Sequence, residues 1–170
     1  MADRDLVIAW LNDAHAMELA IARVLENHAA DAADRPPLQD RFREHLEQTR
    51  RHAELVAGCV ERLGGGTSAL KTGMATAMGT VQGLSTELAK DELVKNALHD
   101  YGTEHFEIAC YTSLRAAAAG LGDDETARVC QEILGEEEEM AAFLLASVAP
   151  VTLQMLQQER AAAAPQGGSS

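Results

Sequence analysis

The sequence predicts an all-α protein: four long antiparallel helices, a long crossover between the second and third, and a short helix at the C-terminal end. Three observations carry that prediction. The 170-residue chain is rich in Ala, Leu and Glu, with four prolines and only 4% aromatic residues, a composition that favours helix. Four segments repeat apolar residues at spacings of three and four, each about 25 to 28 residues and so roughly 40 Å long. Short loops join the first helix to the second and the third to the fourth, which makes each pair an antiparallel hairpin.

The first helix is expected over about residues 3–30, with Leu6, Trp10, Leu11, Ala14, Ile21 and Leu25 on or near one face. It ends in HAADAADRPP, whose proline pair suits the first turn of the next helix. The second covers about 37–63 with Leu38, Phe42, Val56, Cys59, Val60 and Leu63, and the glycines at 64–66 stop it. Residues 67–90, interrupted by Gly73, Gly79 and Gly83, read as a crossover containing a short helix. The third long helix covers about 91–119 and closes at Gly120–Gly122. Asp123 or Asp124 is the expected N-cap of the fourth, about 124–148. Pro150 is expected to break it before a short fifth helix. One long crossover among short loops is the connectivity of the ferritin-like bundle. Residues 1–164 therefore read as a single ferritin-like domain, and 165–170 as a frayed tail.

Charge and composition exclude several roles. A net charge of −13 and a pI near 4.8 repel nucleic acid. No apolar run is expected to approach the ~20 residues of a membrane span, so no membrane partner is expected. The N-terminus lacks a basic segment followed by a long apolar one, so the expected location is cytoplasmic. Cys59, Cys110 and Cys130 have no metal-type spacing and read as reduced, packed thiols.

Two hairpins resemble each other. MELAIARVL (17–25) aligns with FEIACYTSL (106–114), bringing Glu18 onto Glu107. HLEQTRRHAELV (45–56) aligns with ILGEEEEMAAFL (133–144) at nearly the same offset, bringing His52 onto Met140. A duplicated helical hairpin makes a bundle of approximate two-fold symmetry, with the two glutamates facing each other.

Polar residues fall on every apolar stripe. The first helix carries Leu11, Ala14 or His15, Glu18, Ala22 and Leu25; the second Phe42, His45, Thr49, His52, Val56 and Cys59. The third carries Ala97, Tyr101, Glu104, Glu107 or Ile108, Tyr111 and Leu114; the fourth Val129, Ile133, Glu136 or Glu137, Met140 and Leu144. An ionised carboxylate buried without a partner costs several kcal/mol, and a group of them repels. A bound cation resolves both costs, and oxygen ligands with imidazole suit iron or manganese. The ferritin-like di-iron pattern uses one Glu from each of two helices and Glu-x-x-His from each of the other two. Glu18 and Glu107 fill the first role. Thr49 precedes His52 and Met140 follows Glu137, so half of each Glu-x-x-His is missing. Glu104, Glu136, Gln48, His15 and His45 are the available replacements.

At TEHFEIACYTSLRAAAAGLG (103–122), with FREHLEQT, ERLG and EEEEMAAFL in the same order, the chain resembles the YciE/YciF-type branch of the ferritin-like superfamily. The resemblance implies a ferritin-like bundle, a homodimer or higher homo-oligomer, and a bacterial stress-associated protein. It carries over Glu18, Glu104, Glu107, Glu136 and Glu137 as site residues; family members often have Glu where this chain has Gln48. With His52 as the nitrogen donor, these form the expected metal set. His45 and His105 read as edge residues. Glu138 and Glu139 read as solvated, because the four consecutive glutamates span roughly 300° of the helix. Tyr101 and Tyr111 read as core, and Met74 and Met78 as packing for the crossover. Two functions follow: a bundle with a carboxylate-rich, incomplete di-metal site, or a non-enzymatic interaction protein whose inward polar groups pair with one another. A ligand-binding bundle is a third.

Overall fold

A computed structural model describes residues 2–66 and 92–163 of the chain. Its elements are α1 (Ala2–Asp31), α2 (Pro36–Arg62), α3 (Glu92–Gly120) and α4 (Asp124–Ala163). The expected crossover with its short helix, the methionines assigned to it and the C-terminal tail lie outside the described residues.

The helix ends follow from local chemistry. Pro36 and Pro37 open α2, where a missing N–H costs nothing. Gln39 Nε2 donates to the Ala29 carbonyl at 2.8 Å and ties the α1–α2 turn. Gly64 (φ +80°) and Gly122 (φ +71°) take the left-handed conformation that closes α2 and α3. Asp123 caps α4: its Oδ1 accepts from the Thr126 backbone N–H at 3.2 Å and lies 2.8 Å from Arg62 Nη2. That contact joins the end of α2 to the start of α4.

One expected boundary is corrected. Pro150 does not break the fourth helix; α4 runs through it, so the short fifth helix is the second half of α4. Proline removes one amide donor, which leaves the Ala146 carbonyl without its helical partner. Ala146 and Pro150 are both exposed, so that carbonyl lies where water can serve it. The continuous α4 is long and apolar enough, by length and composition alone, to cross a membrane. This corrects the expectation that no apolar run approaches that length.

The packing is two hairpins, α1 with α2 and α3 with α4, joined along looser α1–α3 and α2–α4 seams. Leu11, Met17, Leu25, Val56, Ile133, Met140 and Leu144 are fully buried. Each such side chain contributes about 1.5–3 kcal/mol of apolar burial. Leu6 and Trp10, expected on or near the buried face, are instead 48% and 42% exposed. Val7 and Leu11 take the inward positions beside them, and the polar residues of all four stripes meet between the hairpins.

Candidate metal centre

Seven polar residues occupy that central space. α1 supplies Glu18; α2 supplies His45, Thr49 and His52; α3 supplies Glu104 and Glu107; α4 supplies Glu137. None is more than 1% exposed. They cannot rotate outward singly, because each shares a helix face with core residues such as Leu11, Val56, Leu114 and Ile133.

Two ligand triads result. Glu18, His52 and Glu137 place one ligand atom each within 4.8 Å of one another, and so do His45, Glu104 and Glu137. Glu137 belongs to both and divides its oxygens between them. Its Oε1 is 2.9 Å from His52 Nδ1 and its Oε2 is 3.5 Å from His45 Nε2. Glu18 Oε2 lies 3.7 Å from His52 Nδ1, and Glu104 Oε1 lies 3.3 Å from His45 Nε2.

Both imidazoles are held from outside. His52 Nε2 donates to Glu136 Oε2 at 2.7 Å, and His45 Nδ1 donates to Gln48 Oε1 at 3.2 Å. With the outer nitrogen held, the inner nitrogen of each ring faces the centre, the orientation metal-ligating histidines use. Thr49 Oγ1 donates to the His45 carbonyl at 3.0 Å, so it turns back on its own helix. Tyr111 Oη donates to Glu18 Oε1 and fixes that carboxylate.

The inward atoms fit a cation better than they fit each other. Glu18 Oε2, His45 Nε2, His52 Nδ1, Glu104 Oε2 and both oxygens of Glu107 and Glu137 have no aligned hydrogen-bond partner. Buried polar atoms are rarely left so. Burial, with Glu137 nearby, pushes the Glu107 carboxyl well above its usual range, and likewise that of Glu104. Glu18 is raised by burial and by Glu137 against the pull of His52. Burial depresses His45. It also depresses His52, but Glu137 and Glu18 outweigh it and raise the imidazole to about 10. For Glu137, burial is outweighed by His52 and Glu104, so its pKa is lowered and it stays ionised.

Five of the six residues expected as ligands, Glu18, His52, Glu104, Glu107 and Glu137, are therefore brought together. Glu107 lies in neither triad but feels Glu137, Glu18 and Glu104. Glu136 is placed differently. It is 23% exposed, holds the outer nitrogen of His52 and pairs with Arg51, so Glu137 is the inward member of the run. His45 is corrected outright: it is fully buried at the centre, not at an edge. The signal was its seven-residue spacing from His52, two helical turns along one stripe. The nitrogen absent at Met140, itself fully buried, is thus matched by a second histidine on α2. His105 is exposed, and His15 stands outside both triads.

Fold and centre together define a ferritin-like bundle with buried carboxylates and imidazoles between its hairpins. A family model described as "Domain of unknown function (DUF892)" matches residues 2–163. The chain belongs to that family, the YciF-type family of the ferritin-like superfamily. It is similar to a protein of Xanthomonas campestris pv. campestris, at 30% identity and TM-score 0.80 over 94% of this chain and 99% of that one. It is similar to the E. coli stress protein YciF at 26% identity and TM-score 0.73, over 88% of this chain and 96% of that one. The fold is also that of the Desulfovibrio desulfuricans bacterioferritin, at 22% identity and TM-score 0.74 over 99% and 94%.

Proposed function

We propose that the protein is a stress-associated, ferritin-like metalloprotein that holds two transition-metal ions, iron or manganese, between its hairpins. The single observation that carries this reading is Glu137, which offers one oxygen to each of two triads while both oxygens lack aligned donors. The bacterioferritin of the same fold is a protein with a di-iron site. Glu18, His52 and Glu137 would hold one ion, and His45, Glu104 and Glu137 the other, with Glu107 beside them. When bound, such ions supply redox chemistry toward oxygen or peroxide.

The chain's own residues supply the rest. Glu136 and Gln48 hold the outer imidazole nitrogens so that the inner ones face the centre, where a bound ion would take the place of the proton on His52 Nδ1, and Tyr111 orients Glu18. The apolar stripes above and below the centre exclude water. A cytoplasmic location accords with the free, unpaired cysteines. Self-association is supported by α4, where no charged residue stands between Met140 and Gln158 in a chain of net charge −13. Leu145 and Leu153, 57% and 60% exposed among the described residues, give that uncharged face to a second copy.

Metal analysis after purification without chelator tests the reading. About two equivalents of iron or manganese, lost in Glu137→Gln, are expected, and added Mn(II) should raise the melting temperature by mass action. A protein that takes up neither ion and gains no stability would instead support the interaction-protein reading. The specific feature favouring that alternative is the His52–Glu137 contact, a self-neutralising pair.

A further inference from the structure

The two seams between the hairpins differ in the side chains that flank the buried centre. On the α2–α4 seam, Arg51 pairs with Glu132 at 2.5 Å and with Glu136, the outer partner of His52. The guanidinium fills that seam between the two carboxylates. The α1–α3 seam is lined differently. A narrow cleft of about 10 Å³, room for one water-sized particle, is lined by Ile21, Val24 and Leu25 of α1 and by His99, Asp100, Thr103 and Glu104 of α3.

Polar groups succeed one another along that cleft. His99 is 23% exposed and its Nδ1 lies 3.4 Å from Asp100 Oδ1. Asp100 is 4% exposed, and its other oxygen meets His28 Nδ1 at 2.8 Å. One turn further along α3 stands Glu104, 1% exposed, with Oε2 unpartnered and Oε1 already in the His45 triad. A half-buried imidazole, a buried carboxylate and a ligand carboxylate thus follow one another along α3 in the lining of one cleft. Apolar Ile21, Val24 and Leu25 form the opposite wall, so a cation moving there is drawn only toward α3.

We propose that this α1–α3 cleft is the passage by which a divalent transition-metal ion reaches the buried centre, with His99 and Asp100 as its transient outer station. The proposal rests on the metal-binding reading above. An ion leaving Asp100 would pass to Glu104, and a cleft of about 10 Å³ has no room for its full water shell. A passage changes rates, not equilibria: slowing entrance must slow exit by the same factor.

Cobalt(II) is the probe, because its absorption reports the ligand set without any turnover. Stopped-flow uptake and chelator-driven release are followed in the full chain and in His99→Ala, Asp100→Asn and Thr103→Leu. The first two remove the station, and the third narrows the cleft without touching charge. Both rates are expected to fall together by roughly 10-fold or more, with final stoichiometry and Kd retained. Asp100 is buried and paired, so His99→Ala and Thr103→Leu keep the test decisive if Asp100→Asn folds poorly. Unchanged rates in these variants, or faster uptake in Arg51→Ala alone, would overturn the passage while leaving the metal site standing. Weakened Kd at an unchanged uptake rate would overturn it too. A wild-type chain that takes up no cobalt at all overturns both proposals.

Discussion

At the scale of single residues, the centre turns on which nitrogen or oxygen faces in. Glu136 and Glu137 are neighbours about 100° apart on one helix, and they divide the work accordingly. Glu137 is buried among the ligands, while Glu136 orients His52 through its outer nitrogen. Glu136→Gln is therefore expected to keep the metal stoichiometry but weaken affinity by about 10- to 100-fold, the usual effect of losing such an outer partner. Competition against a chelator of known affinity measures it. Complete metal loss in Glu136→Gln would make Glu136 a ligand and move His52 out of that role. The sequence narrowed the choice to these two residues and went no further, because a rotation of a few tens of degrees exchanges them. His45 was legible only as a stripe member. Its burial depends on how closely α3 and α4 approach α2.

At the scale of elements, helix ends and helix length were legible to different degrees. Proline at the start of α2, glycine after α2 and α3, and aspartate before α4 are local signals, and the structure uses all of them. Asp123 joins two elements, capping α4 and pairing with Arg62 of α2. Asp123→Ala should cost about 1–2 kcal/mol, the range for a lost N-cap. The pKa of Asp123 is lowered from 3.8: burial raises it, and Arg62 and Thr126 outweigh burial. A carboxylate whose folded pKa lies below its unfolded value stabilises above the unfolded pKa and loses that contribution as pH falls through the folded one. The gap between wild type and Asp123→Ala should thus be full at neutral pH and shrink below pH 3.8. Urea unfolding midpoints at the two pH values decide it, and a gap that persists in acid would show the aspartate acting only by packing. Pro150 was misread for a physical reason. Its cost in a helix depends on whether the stranded carbonyl is buried or wet, and a single sequence does not show that.

At the scale of the whole molecule, one chain carries a net charge of −13 and presents an uncharged apolar face. Two copies that met elsewhere would add charge to charge, whereas the α4 face brings none. Leu153→Glu, on the exposed side of α4, is expected to shift sedimentation toward the monomer while leaving the helical content and metal stoichiometry intact. A wild-type chain that sediments as a monomer at every concentration would remove the self-association proposal.

The sequence by itself determined the four helices, their antiparallel pairing and the set of carboxylates from which a centre could be built. Those properties follow from periodicity, capping and loop length, which are written locally. Only the tertiary structure decided that Glu137 is shared between two triads, that His45 joins one of them and that Glu136 stands outside. It also decided that the α1–α3 seam holds an acidic cleft where the α2–α4 seam holds an arginine. These are relations between helices, set by relative rotation and approach of a few ångströms, and residues 45, 104 and 137 meet only when the two hairpins close.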